Sequence, residues 1–214
     1  MSLIDDNLAV VRARCGAARL IAVSKTQDAM AITAALDAGQ RMFGENRVQE
    51  AEAKFPALRI AYPDIQLHLI GALQTNKAQD AVELFDVIQT LDRPQLADAL
   101  AKAIRKTGRT PRIYIEVNIG KEPQKAGIAP DRVSDFLIYC RNVYGLNIGG
   151  LMCIPPLGLE ARPFFRQMRT LADRLSLPHL SMGMSGDFET AVECGATEVR
   201  VGTAIFGTRG AGGN

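Results

Sequence analysis

Strand-like and helix-like segments alternate along nearly the whole chain, and this alternation limits the fold more than any other feature. The apolar, β-rich runs are Arg19–Ser24, Arg41–Gly44, Gln66–Ile70, Phe85–Thr90, Pro111–Asn118, Leu146–Cys153, His179–Met182 and Glu198–Val201. Between them lie stretches with apolar residues at helical spacing, among them Asp28–Ala38, Asn46–Leu58, Pro94–Lys106, Asp131–Asn142, Glu160–Leu175 and Asp187–Cys194. A further helix, roughly Ile4–Ala17, precedes the first strand. Eight strands joined by helical crossovers fit an α/β fold of the (β/α)8 TIM-barrel type with an additional N-terminal helix. An open doubly wound sheet uses the same elements and stays open at this point. Several strand ends run into polar or glycine-rich residues: Ser24-Lys25, Gly44-Glu45-Asn46, Gly71, Asn118-Ile119-Gly120 and Ser185-Gly186. A barrel would gather these ends at one mouth, where the chemistry of such folds is placed.

Composition narrows the function. A net charge of +2, with Lys and Arg scattered, gives no footprint for nucleic acid. The first residues carry acids where a secretory leader would carry bases. No apolar run approaches the roughly 20 residues that span a bilayer, so no membrane partner is expected. Cys15, Cys140, Cys153 and Cys194 are widely separated, and only His68 and His179 could join them, which argues against zinc. The expectation is a reduced, cytoplasmic protein with no metal site. The 214 residues read as a single barrel domain, with a flexible tail from about 209 to 214.

Lys25 closes the first apolar run and is followed by Thr26, Gln27 and Asp28, a helix start. An ammonium drawn toward an apolar scaffold loses its proton more readily, and the free amine can attack a carbonyl. A solvated lysine at a strand end is the alternative. Near the other end of the chain, Gly183-Met184-Ser185-Gly186-Asp187 and Gly202-Thr203 each follow a strand and precede a helix. Glycines there let backbone amides approach an anion, and Ser185 and Thr203 add hydroxyls. Loops after the seventh and eighth strands of barrels often hold phosphate, although each segment alone is also an ordinary helix cap. Strand parity puts Glu198, Arg200 and Gly202 on the inward face and Val199 and Val201 under the helices. Arg200 then either pairs with an interior acid such as Glu198 or faces the ring nitrogen of a bound cofactor.

An amine that attacks carbonyls, a phosphate cup and an inward guanidinium point together to pyridoxal 5′-phosphate (PLP). Ala22-Val-Ser-Lys-Thr26, Phe43-Gly-Glu-Asn46 with Val48-Gln-Glu50, and His68-Leu-Ile-Gly-Ala-Leu-Gln-Thr-Asn-Lys77 resemble segments of the pyridoxal-phosphate homeostasis proteins. So do Gly150-Leu-Met152, Leu180-Ser-Met-Gly-Met-Ser185 and Val199-Arg-Val-Gly-Thr-Ala-Ile-Phe-Gly207. The resemblance implies a barrel like the N-terminal domain of alanine racemase. It implies PLP as cofactor, held as an internal aldimine on Lys25, with Ser185, Gly202 and Thr203 at the phosphate, Arg200 beside the pyridine nitrogen and Asn46 near the ring. It implies a role in vitamin B6 homeostasis, as a PLP carrier or regulator with no catalytic residues. PLP-requiring apo-enzymes are then the expected recipients, and the chain is expected to be a monomer, with a dimer left open.

A PLP-dependent, racemase-like enzyme is the alternative function. Racemisation needs a second base opposite Lys25. In the racemase that base is a Tyr of an additional domain, which is expected to be absent here, and Tyr62, Tyr114, Tyr139 and Tyr144 show no matching placement. A Schiff-base lyase acting on a sugar phosphate is a third candidate. Departures from the family pattern are Leu67 in place of Trp, Gln27 in place of a second lysine, and Gly186 in place of an acid. Lys125 remains as a second candidate amine.

Overall fold

The computed structural model describes residues 2–207, so the tail expected from about 209 lies outside the described residues. Eight parallel strands close into a barrel in sequential order: β1 (Arg19–Val23), β2 (Met42–Glu45), β3 (Gln66–Leu69), β4 (Val87–Leu91), β5 (Arg112–Val117), β6 (Ile148–Cys153), β7 (His179–Ser181) and β8 (Glu198–Val201). Closure comes from β1 pairing with β8, Arg19 opposite Glu198 and Ile21 opposite Arg200, which rules out the open sheet. The surrounding helices are α1 (Leu3–Arg14), α2 (Ala29–Asp37), α3 (Val48–Ala61), α4 (Ala78–Leu84), α5 (Pro94–Thr107), α6 (Val133–Tyr144), α7 (Arg162–Arg174), α8 (Phe188–Glu193) and α9 (Thr203–Phe206).

Local chemistry sets the helix ends. Ser2 accepts from the Asp5 amide, and Asp5 and Asp6 lie at the positive end of α1, with Arg12 and Arg14 at the other. α5 starts on Pro94 and stops at Gly108, whose φ of 72° suits a residue without a Cβ. α4 escaped the sequence periodicity because its seven residues give barely two turns.

The main core lies between barrel and helices. Outward side chains such as Phe43, Leu67, Ile113, Leu151, Val199 and Val201 are buried there, and Phe43 meets Phe55 of α3 at 5.8 Å between ring centroids. α1 belongs to this layer, with Leu8 and Val11 buried, so its apolar face serves packing. Its polar face reaches the far end of the chain. Asn7 Nδ2 donates to the Ile205 carbonyl (2.9 Å), and Arg14 makes a two-pronged contact with Glu189 (2.7 and 2.5 Å) while lying over the Phe188 ring.

Inside the barrel the side chains are largely polar, where branched apolar residues usually dominate. Glu198 is fully buried and accepts from Arg19, from the Tyr114 hydroxyl (2.8 Å) and from Gln89 Nε2 (3.3 Å). Gln89 Nε2 also donates to His68 Nδ1 (2.9 Å), and Ser181 Oγ donates to Gln89 Oε1 (2.7 Å). Burial raises the Glu198 carboxyl above its ordinary range against the pull of Arg19, and burial drives His68 down to about 3, so the imidazole is neutral. Removing one member of such a network leaves a buried partner unsatisfied. Tyr114→Phe should therefore lower stability by about 1–2 kcal/mol in urea denaturation, and an unchanged midpoint would show that this hydrogen bond contributes nothing.

Candidate functional site

The sequence-selected residues come together at the C-terminal end of the barrel. Lys25 sits in the turn after β1, Gly202 and Thr203 follow β8, and Ser185 lies in the loop after β7, so three adjacent strands present them. Gly202 packs against β1 so closely that a Cβ there would stand 3.1 Å from the Val23 carbonyl, two residues before Lys25. Asn46 directly follows β2 beside this group, but it lines a groove of about 370 Å³ that runs to Leu73, Gln74 and Lys77. Gly71 makes that arrangement fit, since a Cβ there would lie 2.3 Å from the Asn46 carbonyl.

The Lys25 side chain is exposed and makes no hydrogen bond or ion pair among the described residues. The desolvation expected from its place on an apolar strand is therefore not supplied by the walls of the barrel. The strand itself stops at Val23, and Ser24 is the buried residue beyond it.

The loops after β7 and β8 present donors that could hold an anion. The amides of Ser185, Gly186, Thr203 and Ala204 have no acceptor among the described residues. The hydroxyls of Ser185 and Thr203 are exposed beside them and likewise make no bond there. Gly183, with φ of 91°, makes the turn, and a Cβ on it would lie 2.5 Å from that of Ala191 in α8. Phosphate chemistry suits this donor set: N–H and O–H groups at two adjacent strand-to-helix turns. Arg14 takes both oxygens of Glu189, so the acid in the first turn of α8 is neutralised.

Arg200 is 4% exposed and does not pair with Glu198. Its Nη1 donates to Ser181 Oγ (2.6 Å) and its Nη2 to the Cys153 carbonyl (2.9 Å). Both contacts fix the guanidinium plane, and the Nε–H keeps no protein partner among the described residues. A ring nitrogen with a free lone pair is a suitable acceptor for it.

Several residues of the site went unassigned in the sequence. Glu45 and Lys54 form a buried ion pair below Lys25, with Nζ 2.6 Å from Oε1. The signal was available in the spacing of Glu50 and Lys54, four apart on α3, but surface pairs look the same in sequence. Glu116 lies on the inward face of β5, with Arg112 and Tyr114, and burial foremost, then Asp92, raises it to about 7 against the pull of Arg200. Lys125 is held by Glu122 (2.5 Å) and by the Pro155 carbonyl (3.2 Å), so it is not a free amine. No cluster of three or more metal-ligating side chains and no helix long and apolar enough to cross a membrane occur among the described residues.

Comparison with known proteins identifies the family to which this fold belongs. Residues 1–210 match the family model described as alanine racemase, N-terminal domain. A pyridoxal phosphate homeostasis protein of Aquifex aeolicus is 41% identical over 90% of this chain and 87% of its own length. That of Escherichia coli K12 is 36% identical over 98% and 95%. The chain belongs to the pyridoxal phosphate homeostasis protein family. PipY of Synechococcus elongatus, solved with PLP bound, superposes with a TM-score of 0.86 at 43% identity, covering 95% of this chain and 100% of that one. Alanine racemase from Corynebacterium glutamicum shares the fold, with a TM-score of 0.76 at 19% identity, covering 99% of this chain and 62% of that one.

Glu116 gives a test of the electrostatics at the mouth. Its folded-state value lies above that of the unfolded chain, so the ionised form is disfavoured by folding. The stability it allows is intact below pH 4.5 and is lost as pH rises through about 7. Glu116→Gln should match the parent near pH 4 and exceed it by up to about 3 kcal/mol at pH 8. A difference in thermal or urea stability that does not change with pH would contradict this.

Proposed function

We propose that this chain is a PLP-binding protein of vitamin B6 homeostasis, a single barrel domain that holds the cofactor as an internal aldimine on Lys25. The observation that carries the proposal is the pairing of one exposed amine after β1 with amides and hydroxyls after the neighbouring β7 and β8, none of which has a partner among the described residues. The PLP-bound relative, PipY, adds support at 43% identity.

Ser185, Gly202 and Thr203 would take the phosphate. Arg200, its plane fixed by Ser181 and Cys153, would face the pyridine nitrogen, and Asn46 would stand toward the ring from the next strand. Bound PLP supplies an aldehyde that condenses with amines and a ring that can accept electrons. A guanidinium cannot accept a proton and opposes protonation of a neighbouring nitrogen by like charge. Arg200 therefore favours holding the cofactor over deepening its electron sink. Such a protein stores or buffers PLP in the cytoplasm as a monomer and gives it up to PLP-requiring apo-enzymes.

The visible spectrum of the purified protein with PLP, before and after borohydride reduction and peptide mapping, tests this directly. A yellow species that reduction fixes on Lys25 is expected, and Lys25→Ala should lose the reducible adduct while remaining folded. A protein that is colourless once unbound PLP has been removed would exclude the cofactor, and an adduct that survives in Lys25→Ala would move it to another amine.

A further inference from the structure

A second lysine is built into the same corner of the barrel, and its ammonium is fully engaged. Lys54 rises from α3 and is 11% exposed. Its Nζ donates to Glu45 Oε1 (2.6 Å), Glu50 Oε1 (2.9 Å) and the Ser24 carbonyl (3.0 Å), with the Gln27 carbonyl at 3.4 Å. Ser24 and Gln27 flank the turn that carries Lys25. The turn closes on itself through the Gln27 amide and Ser24 carbonyl (3.0 Å).

The turn also contains a strained residue. Thr26 has φ of 64°, a left-handed conformation that a β-branched side chain resists. Its amide donates to Glu50 Oε1 (2.5 Å), the oxygen that also receives Lys54. On the other side, Ser24 Oγ donates to Glu45 Oε1 (2.7 Å), again the oxygen shared with Lys54. One ammonium thus joins both carboxylates and two carbonyls around the Lys25 peptide. Burial raises the Glu45 carboxyl, and Lys54 and Ser24 work against that rise.

We propose that Lys54 is the positioning residue for Lys25: it locks the Ser24–Gln27 turn to the β2–α3 corner and so aims the exposed amine into the barrel mouth. This rests on Lys25 being the PLP amine. Covalent capture needs the Lys25 nitrogen to replace the aldehyde oxygen, which leaves as water, and no further reactant is involved. Misplacing an attacking group by about 1 Å can cost as much as 100-fold. Lys54 itself does not compete for the aldehyde, because its N–H groups are all committed inside the protein.

The test compares two ligands. PLP reports on amine and cup together, whereas pyridoxamine 5′-phosphate has no aldehyde and reports on the cup and ring contacts alone. Lys54→Met should weaken formation of the reducible Lys25 adduct about tenfold or more and leave pyridoxamine 5′-phosphate affinity within about twofold. Lys54→Arg, which keeps a charged donor, should recover part of the loss. Glu45→Gln combined with Lys54→Met removes the buried unpaired acid and should show the same split if Lys54→Met alone folds poorly. Adduct formation at the parent rate and affinity in these variants would overturn the proposal. An equal fall for both ligands would overturn it too, since that is what a purely structural role produces. Failure of the parent chain to form any adduct on Lys25 would remove both this proposal and the reading of Lys25, and it is seen before any variant is made.

Discussion

The carboxylate of Glu198 is the interaction on which the barrel interior depends. It is fully buried at the start of β8, and it is tolerable there only because Arg19, Tyr114 and Gln89 converge on it. From Gln89 the hydrogen bonds continue through Ser181 to Arg200 near the mouth. The charge at the bottom of the barrel and the guanidinium at its top therefore belong to one connected set. This explains why Arg200 need not pair with the acid two residues before it on the same strand: each already has separate partners, and Gln89 and Ser181 bridge the space between them.

The site sits where two such fixed assemblies meet. One is the interior column that orients Arg200. The other is the Glu45–Lys54–Glu50 corner that holds the turn of Lys25. Between them lie the glycine-rich loops after β7 and β8, in which the amides of Ser185, Gly186, Thr203 and Ala204 have no acceptor among the described residues. Fixed groups on both sides of a donor-rich cup suit a ligand with one covalent anchor, one ring and one anionic group.

Much of this was legible in the sequence because it followed from period and punctuation. The eight strands were found from apolar runs, and the inward placement of Glu198 and Arg200 from simple alternation. Lys25, Ser185, Gly202 and Thr203 stood out as candidates because each stands at a strand-to-helix junction, and the fold brings those junctions to one end of the barrel. What stayed hidden depends on contacts between distant segments. Nothing in the sequence around Lys54 separates it from the exposed Lys102, which also forms a pair with an acid four residues away on its helix. Only the fold shows that one is buried and the other is not. The choice of Ser181 and the Cys153 carbonyl for Arg200, over Glu198, likewise depends on three-dimensional register. The sequence also overstated the burial of Lys25, because the strand ends two residues earlier than its amine.

The pairing of β1 with β8 has a consequence for how the chain reaches this state. Arg19 and Glu198 are opposite one another in the sheet yet lie at nearly opposite ends of the sequence. α1 adds to this, since its Asn7 and Arg14 are satisfied by residues of α9 and α8. During synthesis the first strand and helix emerge with no partner for one edge until the last strand has left the ribosome. Contacts of such sequence separation are slow to form, because a long loop must close before they contribute. The barrel is therefore expected to close late and as a unit, and its final step joins the turn bearing Lys25 to the loops that complete the cup.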